Sequence, residues 1–494
     1  MSHLIAAGGS GQESALSTLR LSYLLGTPMP RITIVDSDVA SNVGNDTTHH
    51  TRMQALLDLA RRLVGLGVVN ETMVTTINPA DLTAGLAVGQ EAHAVTHVED
   101  IFRPAGLPRL AEEDAVLLDL LLTKTQRSTR VSDGFHGQPA LGALVVRAVI
   151  NSNAWQGTLE QLRAEARQTA GLHAVLTGSM TGGLATAVLP TIVDELHKIP
   201  NAGGKVSAHG LFLLPWFELE KTANDPGARE PDVDTAMMVR NAACLAKAYL
   251  KEITEDRLKS AVFLGLPDAV ARTSQGGSNQ RETLHYLNVV VGLQILRMLR
   301  SDWEGRGLLG ITIGNNGAGH FLGGAEGPSY RDFHLRRVAT IGRGLVAVTR
   351  ALEFEVSQLT PSSTHHSDIS GILASFEYSD RQAFAEAIHA FHRLHVDIWS
   401  WLCKSLGSQV GSRRAESPVG AFVPAEGWSV FGSTKTRESL RVAGAMLPGA
   451  ALGRRLLRKI GRAEIPQNAS GSAAAWQVMQ HARRRLIELT DTAR

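Results

Sequence analysis

The first 35 residues combine, in order, an apolar strand, a glycine-rich turn, a helix and a second apolar strand. Strands are predicted over His3–Ala7 and Arg31–Val35, and the turn is Gly8-Gly9-Ser10-Gly11. A helix is predicted over Glu13–Leu25 because its leucines recur at helical spacing. Two strands joined through a helix run parallel. This opening therefore restricts the chain to folds built on a parallel α/β sheet.

The alternation of strand and helix continues to about residue 270. Further strands are predicted at Leu172–Leu176, Val206–Leu214 and Ala261–Leu266, with helices at Arg52–Leu66, Thr158–Thr169, Leu184–His197 and Asp234–Glu252. About five strand-plus-helix units fit one doubly wound domain. We predict fold class α/β, with a doubly wound parallel-sheet nucleotide-binding domain over residues 1–283. A junction helix and a second α+β domain are predicted over 284–440, and a basic helical segment over 441–494.

Composition indicates an ordinary soluble globular protein. Hydrophobic residues make up 44% and charged residues 19%, and the formal net charge is +2, so no overall field favours a nucleic-acid partner. The longest apolar runs, Ala140–Ile150 and Leu287–Leu299, are too short to span a bilayer. The amino terminus lacks the basic region of a signal peptide. We therefore expect a cytoplasmic protein with no transmembrane segment.

Polar or glycine-rich loops follow several predicted strands, where ligands collect in an open α/β sheet. The first comprises Gly8, Gly9, Ser10, Gly11 and Gln12, whose backbone amides can approach phosphate oxygens. A tight structural turn is the alternative interpretation of this loop. The second contains Asp36 and Asp38, which can hold a ribose hydroxyl or a water molecule on Mg²⁺. An ordinary polar strand exit is equally compatible with that sequence.

Two further loops open helices. The third is Gly134–Gly142, where Gly137 is the candidate ligand contact and a plain helix entry is the alternative. The fourth follows the strand at Leu172–Leu176 and offers six candidate contacts, namely Gly178, Ser179, Met180, Thr181, Gly182 and Gly183. It lacks the GxxxxGK[ST] pattern and contains no lysine. Charge neutralisation would therefore come from backbone amides, the helix dipole and a metal, unless the glycines only form a structural turn.

In their order and context, these loops resemble those of the tubulin/FtsZ superfamily, particularly its divergent bacterial tubulin-like members. The family hallmark G-G-G-T-G-[ST]-G lies between a strand and a helix, the place that Thr177–Gly183 occupies here. Gly8–Gln12 resembles the first phosphate loop, and Asp38 resembles the aspartate that follows the second strand. Later strand ends also resemble those of the family, at Leu213–Glu218 and Phe263–Asp268.

The resemblance implies binding of GTP or GDP, with Mg²⁺, and head-to-tail self-association that can produce filaments. It implies that Asn241 faces the guanine base. Asp302 and Glu304 would be the catalytic acids, because they follow a helix that resembles the long central helix of the family. Met180 stands where the family has a small residue or a hydroxyl, and the G-x-x-N-x-D pattern is not visible. If the chain is a GTPase, hydrolysis is therefore expected to be weak or to depend on assembly.

Two other functions stay open at this point. A non-hydrolysing nucleotide-binding scaffold or sensor subunit with protein partners fits the lost hallmark glycines. A Rossmann-type dinucleotide-dependent enzyme would use Gly8–Gly11 and Asp36, although the turn departs from G-x-G-x-x-G. The pairs His49-His50 and His365-His366 lack any known ligand pattern, so no metal site is predicted from them.

Overall fold

The computed structural model describes most of the predicted elements and parts of the segments between them. The described residues are 2–36, 48–70, 73–77, 97–98, 116, 120–129, 135, 138–139, 141–143, 146, 153–199, 203–215, 217–219, 235–265, 271–273, 286–300, 303, 305, 307–313, 319–322, 336–357, 378–407 and 471–492.

The centre of the protein is an eight-stranded sheet with strand order β10-β9-β7-β5-β4-β1-β2-β3. Neighbouring strands are parallel except that β10 is antiparallel to β9. Its strands are β1 (Ser2–Ala7), β2 (Arg31–Val35), β3 (Val74–Ile77), β4 (Leu172–Ser179), β5 (Val206–Leu213), β7 (Ser260–Gly265), β9 (Gly307–Ile313) and β10 (Gly319–Leu322). A separate parallel pair is formed by β6 (Phe217–Leu219) and β8 (Ala271–Thr273).

Helices cover both faces of this sheet, which confirms the predicted doubly wound α/β class. The described helices are α1 (Gly8–Leu25), α2 (Thr48–Gly65), α3 (Lys124–Arg127), α4 (Asn153–Ala166), α5 (Gly183–Lys198), α6 (Thr235–Thr254), α7 (Tyr286–Met298), α8 (Arg336–Ser357), α9 (Tyr378–Gly407) and α10 (Gly471–Thr492). One hydrophobic core joins the sheet to α1, α2 and α7, and the other joins it to α4, α5 and α6. Because β1 lies between these cores, all but its first residue are buried.

Two predicted boundaries at glycines were wrong. The first turn of α1 already begins at Gly8, and Gly11 lies within that helix, where a Cβ would be 3.0 Å from the Ala6 carbonyl carbon. Gly8 has φ of +70°, a conformation that favours glycine. Strand β4 continues to Ser179, because Thr177 and Gly178 pair with both β1 and β5 and Ser179 pairs with β5. The strands β3, β6, β8 and β10 were not predicted.

The carboxyl-terminal helices α8, α9 and α10 pack on the α1 and α7 side of the sheet and share its hydrophobic core. Strands β9 and β10 extend the same sheet beyond residue 284. The predicted domain boundaries at 283/284 and 440/441 stay predictions. Among the described residues, none of the helices combines the length and the hydropathy needed to cross a membrane.

Candidate functional site at the carboxyl edge of the sheet

The carboxyl ends of β1, β2 and β4 meet near the centre of the sheet. Ala7 ends β1 and pairs with Val35 of β2 on one side and Gly178 of β4 on the other. The chain adds β2 and β3 on one side of β1 and then returns to add β4 on the other, so the strand order reverses here. Ligands of open α/β sheets bind in the crevice outside the strand ends at such a reversal. The first, second and fourth predicted loops therefore converge where a ligand is expected.

Two helices begin at this edge without a side-chain cap. Helix α1 begins after Ala7 and α5 begins after Gly182, and neither cap residue makes a side-chain hydrogen bond to its helix. The two helix starts are close together, since a Cβ on Gly8 would lie 3.8 Å from the Cβ of Ala185. A capping side chain contributes about 1 kcal/mol, and without one the first amides and the positive dipole end stay available. Two adjacent uncapped helix starts form a candidate anion site.

A buried hydrogen bond joins the first loop to the second. The Gln12 Nε2 donates to Asp36 Oδ2 at 2.5 Å, and both residues are buried. A carboxylate only accepts, so the amide nitrogen faces Asp36 and the Gln12 Oε1 faces elsewhere. That oxygen is buried and has no hydrogen-bond partner within the described part of the chain. An unpaired buried acceptor costs about 1–3 kcal/mol, so Gln12 Oε1 is suited to receive a donor from a ligand.

Two glycines of the fourth loop allow close packing at the site. A Cβ on Gly178 would lie 2.9 Å from the Cβ of Ala185. A Cβ on Gly183 would lie 2.7 Å from the Cβ of Phe135 and 2.9 Å from the carbonyl oxygen of Gln138. Residues of the third predicted loop are thereby brought against the start of α5. Close packing therefore explains why residues 178 and 183 are glycines. The interpretation that they also bind a ligand stays a prediction.

The residues between β4 and α5 divide into a core part and an edge part. The Met180 side chain is fully buried in the hydrophobic core, and its N–H donates to the Leu213 carbonyl oxygen at 2.9 Å. Neither group is available to a ligand. The hydroxyl oxygens of Ser179 and Thr181 lie 2.6 Å apart, and the Thr181 N–H donates to Ser179 Oγ. This hydroxyl pair and the backbone at Gly182 are the part of the turn suited to contact an anion.

Asn241 lies on α6, whose partner strand β7 is two positions from β4, the strand that carries the fourth loop. Its assignment stays a prediction. Asn241 is half-buried, and α6 also packs against β9. Strand β7 is three positions from β1 in the sheet order, or about 14 Å at the usual strand spacing. The candidates Asp38, Gly137, Asp302 and Glu304 lie outside the described residues. Their assignments stay predictions.

A polar cluster that sequence reasoning missed lies one residue beyond Gln12. The Glu13 carboxylate accepts a hydrogen bond from Asn288 Nδ2 at 3.3 Å, and its other oxygen is 3.9 Å from Arg52 Nε. These residues lie near the amino-terminal ends of α1, α7 and α2, respectively. All three helices cover the same face of the sheet. The signal available in the sequence was Asn288, a polar residue in the apolar run that begins α7.

A second polar cluster joins α1 to the carboxyl-terminal helices at a distance from the glycine turns. We call it the histidine junction, and its members are Tyr23, Thr349, Glu353, His389, His392 and His395. The Tyr23 hydroxyl bonds to His395 Nε2 at 2.7 Å. Because the Thr349 hydroxyl donates to the Leu345 carbonyl, it accepts from Nδ1 of both His392 and His395. The proton of neutral His395 is then on Nδ1, so its Nε2 accepts a hydrogen bond from the Tyr23 hydroxyl.

Burial sets the protonation of the histidine junction. It lowers the pKa of His395 to about 3, and the neighbouring His392, Arg483 and Arg62 act in the same direction. Burial also raises the pKa of the Tyr23 hydroxyl and lowers that of His392. The His389 Nδ1 donates to Glu353 Oε1 at 2.7 Å, where the cluster reaches the surface. The inner groups are therefore neutral near pH 7 and bonded to one another.

Comparison with known protein families and with curated protein sequences finds no match to this chain. Within the described ranges, no group of three or more His, Cys, Asp or Glu residues is arranged to hold a metal ion. The edge offers amide donors, hydroxyls, one buried carboxylate and one unpaired carbonyl acceptor. This combination is suited to hold a phosphate ester that also carries hydroxyl groups.

Proposed function

We propose that this chain is a divergent tubulin/FtsZ-like protein that binds GTP or GDP at the carboxyl edge of β1, β2 and β4. The observation that carries the proposal is the meeting of two uncapped helix starts at the reversal of strand order. A nucleotide polyphosphate is an anion that pairs with amides from both helices. The ribose hydroxyls of the nucleotide can donate a hydrogen bond to Gln12 Oε1, which has no partner among the described residues.

The proposal includes a tubulin/FtsZ-type fold for the sheet domain, an α+β carboxyl-terminal domain and a cytoplasmic location. Its support is the order of the loops in the sequence together with the strand order, which brings the first, second and fourth loops to one edge. Mg²⁺ commonly uses one or two carboxylates together with nucleotide phosphates. A single buried Asp36 beside the anion site is compatible with that ligand set.

We include self-association and GTP hydrolysis in the proposal only because the resemblance to the tubulin/FtsZ superfamily implies them. A head-to-tail contact that does not close would generate a filament. Asp302 and Glu304 are the proposed acids, and hydrolysis would occur when one subunit presents them to the nucleotide of the next. If neither acid acts, the same site holds nucleotide without turnover, as in a scaffold or sensor. Phosphate release measured above and below the concentration at which the protein sediments distinguishes these two functions.

A Rossmann-type dinucleotide enzyme is the second candidate, and one observation favours it. Asp36 directly follows β2, the position from which dinucleotide folds bind a ribose hydroxyl, and the strand order 3-2-1-4-5 is theirs as well. The uncapped start of α5 favours the first candidate, since a dinucleotide site uses the glycine turn after β1 and gives the turn after β4 no phosphate to bind.

Calorimetric titration tests the proposal directly. The purified full chain is titrated with GTP, ATP and NAD⁺ at physiological salt, with Mg²⁺ present and absent. Saturable binding of GTP near one molecule per chain, tighter than that of ATP, is expected. Binding of NAD⁺ alone would select the second candidate. Failure of all three ligands to bind would rule out both functions.

A further inference from the structure

The glycine turns bring no positive side chain to the proposed phosphate site. Neither Gly8–Gln12 nor Thr177–Gly183 contains a lysine or an arginine. Helix dipoles and amides offer only partial charges, equivalent to about half an elementary charge at each helix start. A nucleoside triphosphate carries several full negative charges. A cation from another part of the chain would therefore strengthen the site considerably.

Arg52 is a largely buried cation that makes no hydrogen bond with any of the residues described. Its side chain is 14% exposed, and its Nε is buried without a hydrogen-bond partner. The contact with Glu13 Oε2 at 3.9 Å is longer than a hydrogen bond, so charge attraction alone holds the pair. A guanidinium has five N–H donors in a planar fork that matches phosphate oxygens. Burying the Nε donor unpaired is unfavourable unless another group accepts from it.

The position of Arg52 places its guanidinium near the edge. Arg52 is in the second turn of α2, the helix that follows β2 and Asp36 in the chain. Its partner Glu13 is adjacent to Gln12 and lies five residues after Gly8, or about 7.5 Å along the α1 axis. A flexible arginine side chain spans a comparable distance. Asn288 Nδ2 donates to the other Glu13 carboxylate oxygen at 3.3 Å, which holds that carboxylate in place.

We infer that Arg52 binds phosphate in the nucleotide site and that Glu13 holds its guanidinium there before the ligand arrives. This inference rests on the proposed nucleotide function. On binding, the guanidinium exchanges its long contact with Glu13 for hydrogen bonds to phosphate oxygens. Glu13 is then a positioning residue that competes with the ligand for Arg52, and its own negative charge opposes that of the phosphates. The two residues should therefore affect affinity in opposite directions.

The test is calorimetric titration of GTP into wild type, Arg52→Ala, Arg52→Lys and Glu13→Gln. Charge-assisted hydrogen bonds lead us to expect at least a tenfold rise in Kd for R52A and partial rescue by R52K. E13Q should lower Kd, because the competing charge is gone while the amide oxygen still accepts from Asn288. The matched control is Arg61→Ala on the same helix, which removes a solvent-exposed arginine paired with Asp58 and should leave Kd unchanged.

Thermal unfolding without nucleotide accompanies each titration and reports the structural role separately. If R52A and E13Q lower the melting temperature alike and leave the Kd for GTP unchanged, the pair is structural and the inference is overturned. A rise in Kd for E13Q as large as that for R52A also overturns it, since competition predicts the opposite sign. If wild type binds no GTP, the proposed function fails and the inference fails with it.

Discussion

The carboxyl edge and the histidine junction both bury polar groups against α1, but they treat those groups differently. At the edge, two helix starts lack caps, and Gln12 Oε1 is buried without a partner among the described residues. In the junction, which joins the far end of α1 to α8 and α9, each inner polar group bonds to another. A neutral Tyr23–His395 pair there stabilises the fold.

We interpret this difference as one between the proposed binding site and a structural cluster. Unpaired buried groups cost about 1–3 kcal/mol each, which a fold tolerates where a ligand later supplies the partner. Groups that already bond to one another gain nothing from a ligand. Changes in the junction should therefore alter stability without altering GTP affinity, whereas changes at the edge should alter affinity. The following experiments test this contrast, from the largest expected change in stability to the smallest.

Acid should destabilise the protein partly through the histidine junction. The pKa of His395 is about 3 when folded and 6.5 when unfolded, so between these values only the unfolded chain binds the proton. Stability is therefore lost as pH falls below 6.5, by up to about 1.4 kcal/mol per pH unit from this residue. Urea unfolding of wild type and His395→Gln across pH 7 to 4 should show a shallower slope for H395Q. Parallel slopes would contradict the buried neutral histidine.

Gly183→Ala should damage both stability and binding. The new Cβ would lie 2.7 Å from that of Phe135, so α5 or the third loop must shift. We expect a loss of about 1–3 kcal/mol and a raised Kd for GTP. Gly157→Ala is the matched control, because no described atom outside its own stretch of helix lies within 4 Å of the new Cβ and alanine favours helix. That variant should gain up to about 1 kcal/mol. Equal urea midpoints for the two variants would refute the packing role.

Tyr23→Phe should lower stability while leaving nucleotide affinity intact. It removes the donor to His395 Nε2 and leaves that nitrogen buried without its partner, at a cost of about 1–2 kcal/mol. The aromatic packing against Trp476 is retained. Urea unfolding measures the cost, and calorimetry with GTP checks the affinity. A Kd raised as much as in the edge variants would remove the distinction between the two regions.

Gln12→Met should give the smallest change in stability. It removes the unpaired Oε1, which favours folding, and it also removes the hydrogen bond to Asp36, which opposes folding. These terms offset, so we expect unfolding free energy within about 1 kcal/mol of wild type. The Kd for GTP should nevertheless rise about tenfold, because the ligand loses its acceptor. An unchanged Kd would show that Gln12 does not face the ligand.

The sequence predicted the layered fold well because local periodicity determines it. Strands β1 and β2 and helices α5 and α7 carry apolar patterns that can be read within a short window. The length of β4 was missed because Gly178 looks like a turn residue, whereas its need for glycine arises from Ala185 across the packing. Short edge strands such as β3, with only two buried residues, give too weak a pattern.

The site was predictable only in part. Gln12 and Asp36 were candidates, yet their hydrogen bond depends on the parallel pairing of β1 with β2. The contact between Glu13 and Asn288 joins residues 275 positions apart. Such a pair leaves no local signature in a single sequence. Asn241 was chosen by resemblance, and its role stays a prediction.

The central claim is that a guanine nucleotide occupies the edge between α1 and α5. Its most direct test is to purify the protein without added nucleotide, denature it and identify by chromatography what is released. We predict GDP or GTP approaching one molecule per chain, and much less from Gln12→Met prepared in the same way. Release of NAD⁺ or of no nucleotide, together with no binding of added GTP, would contradict it.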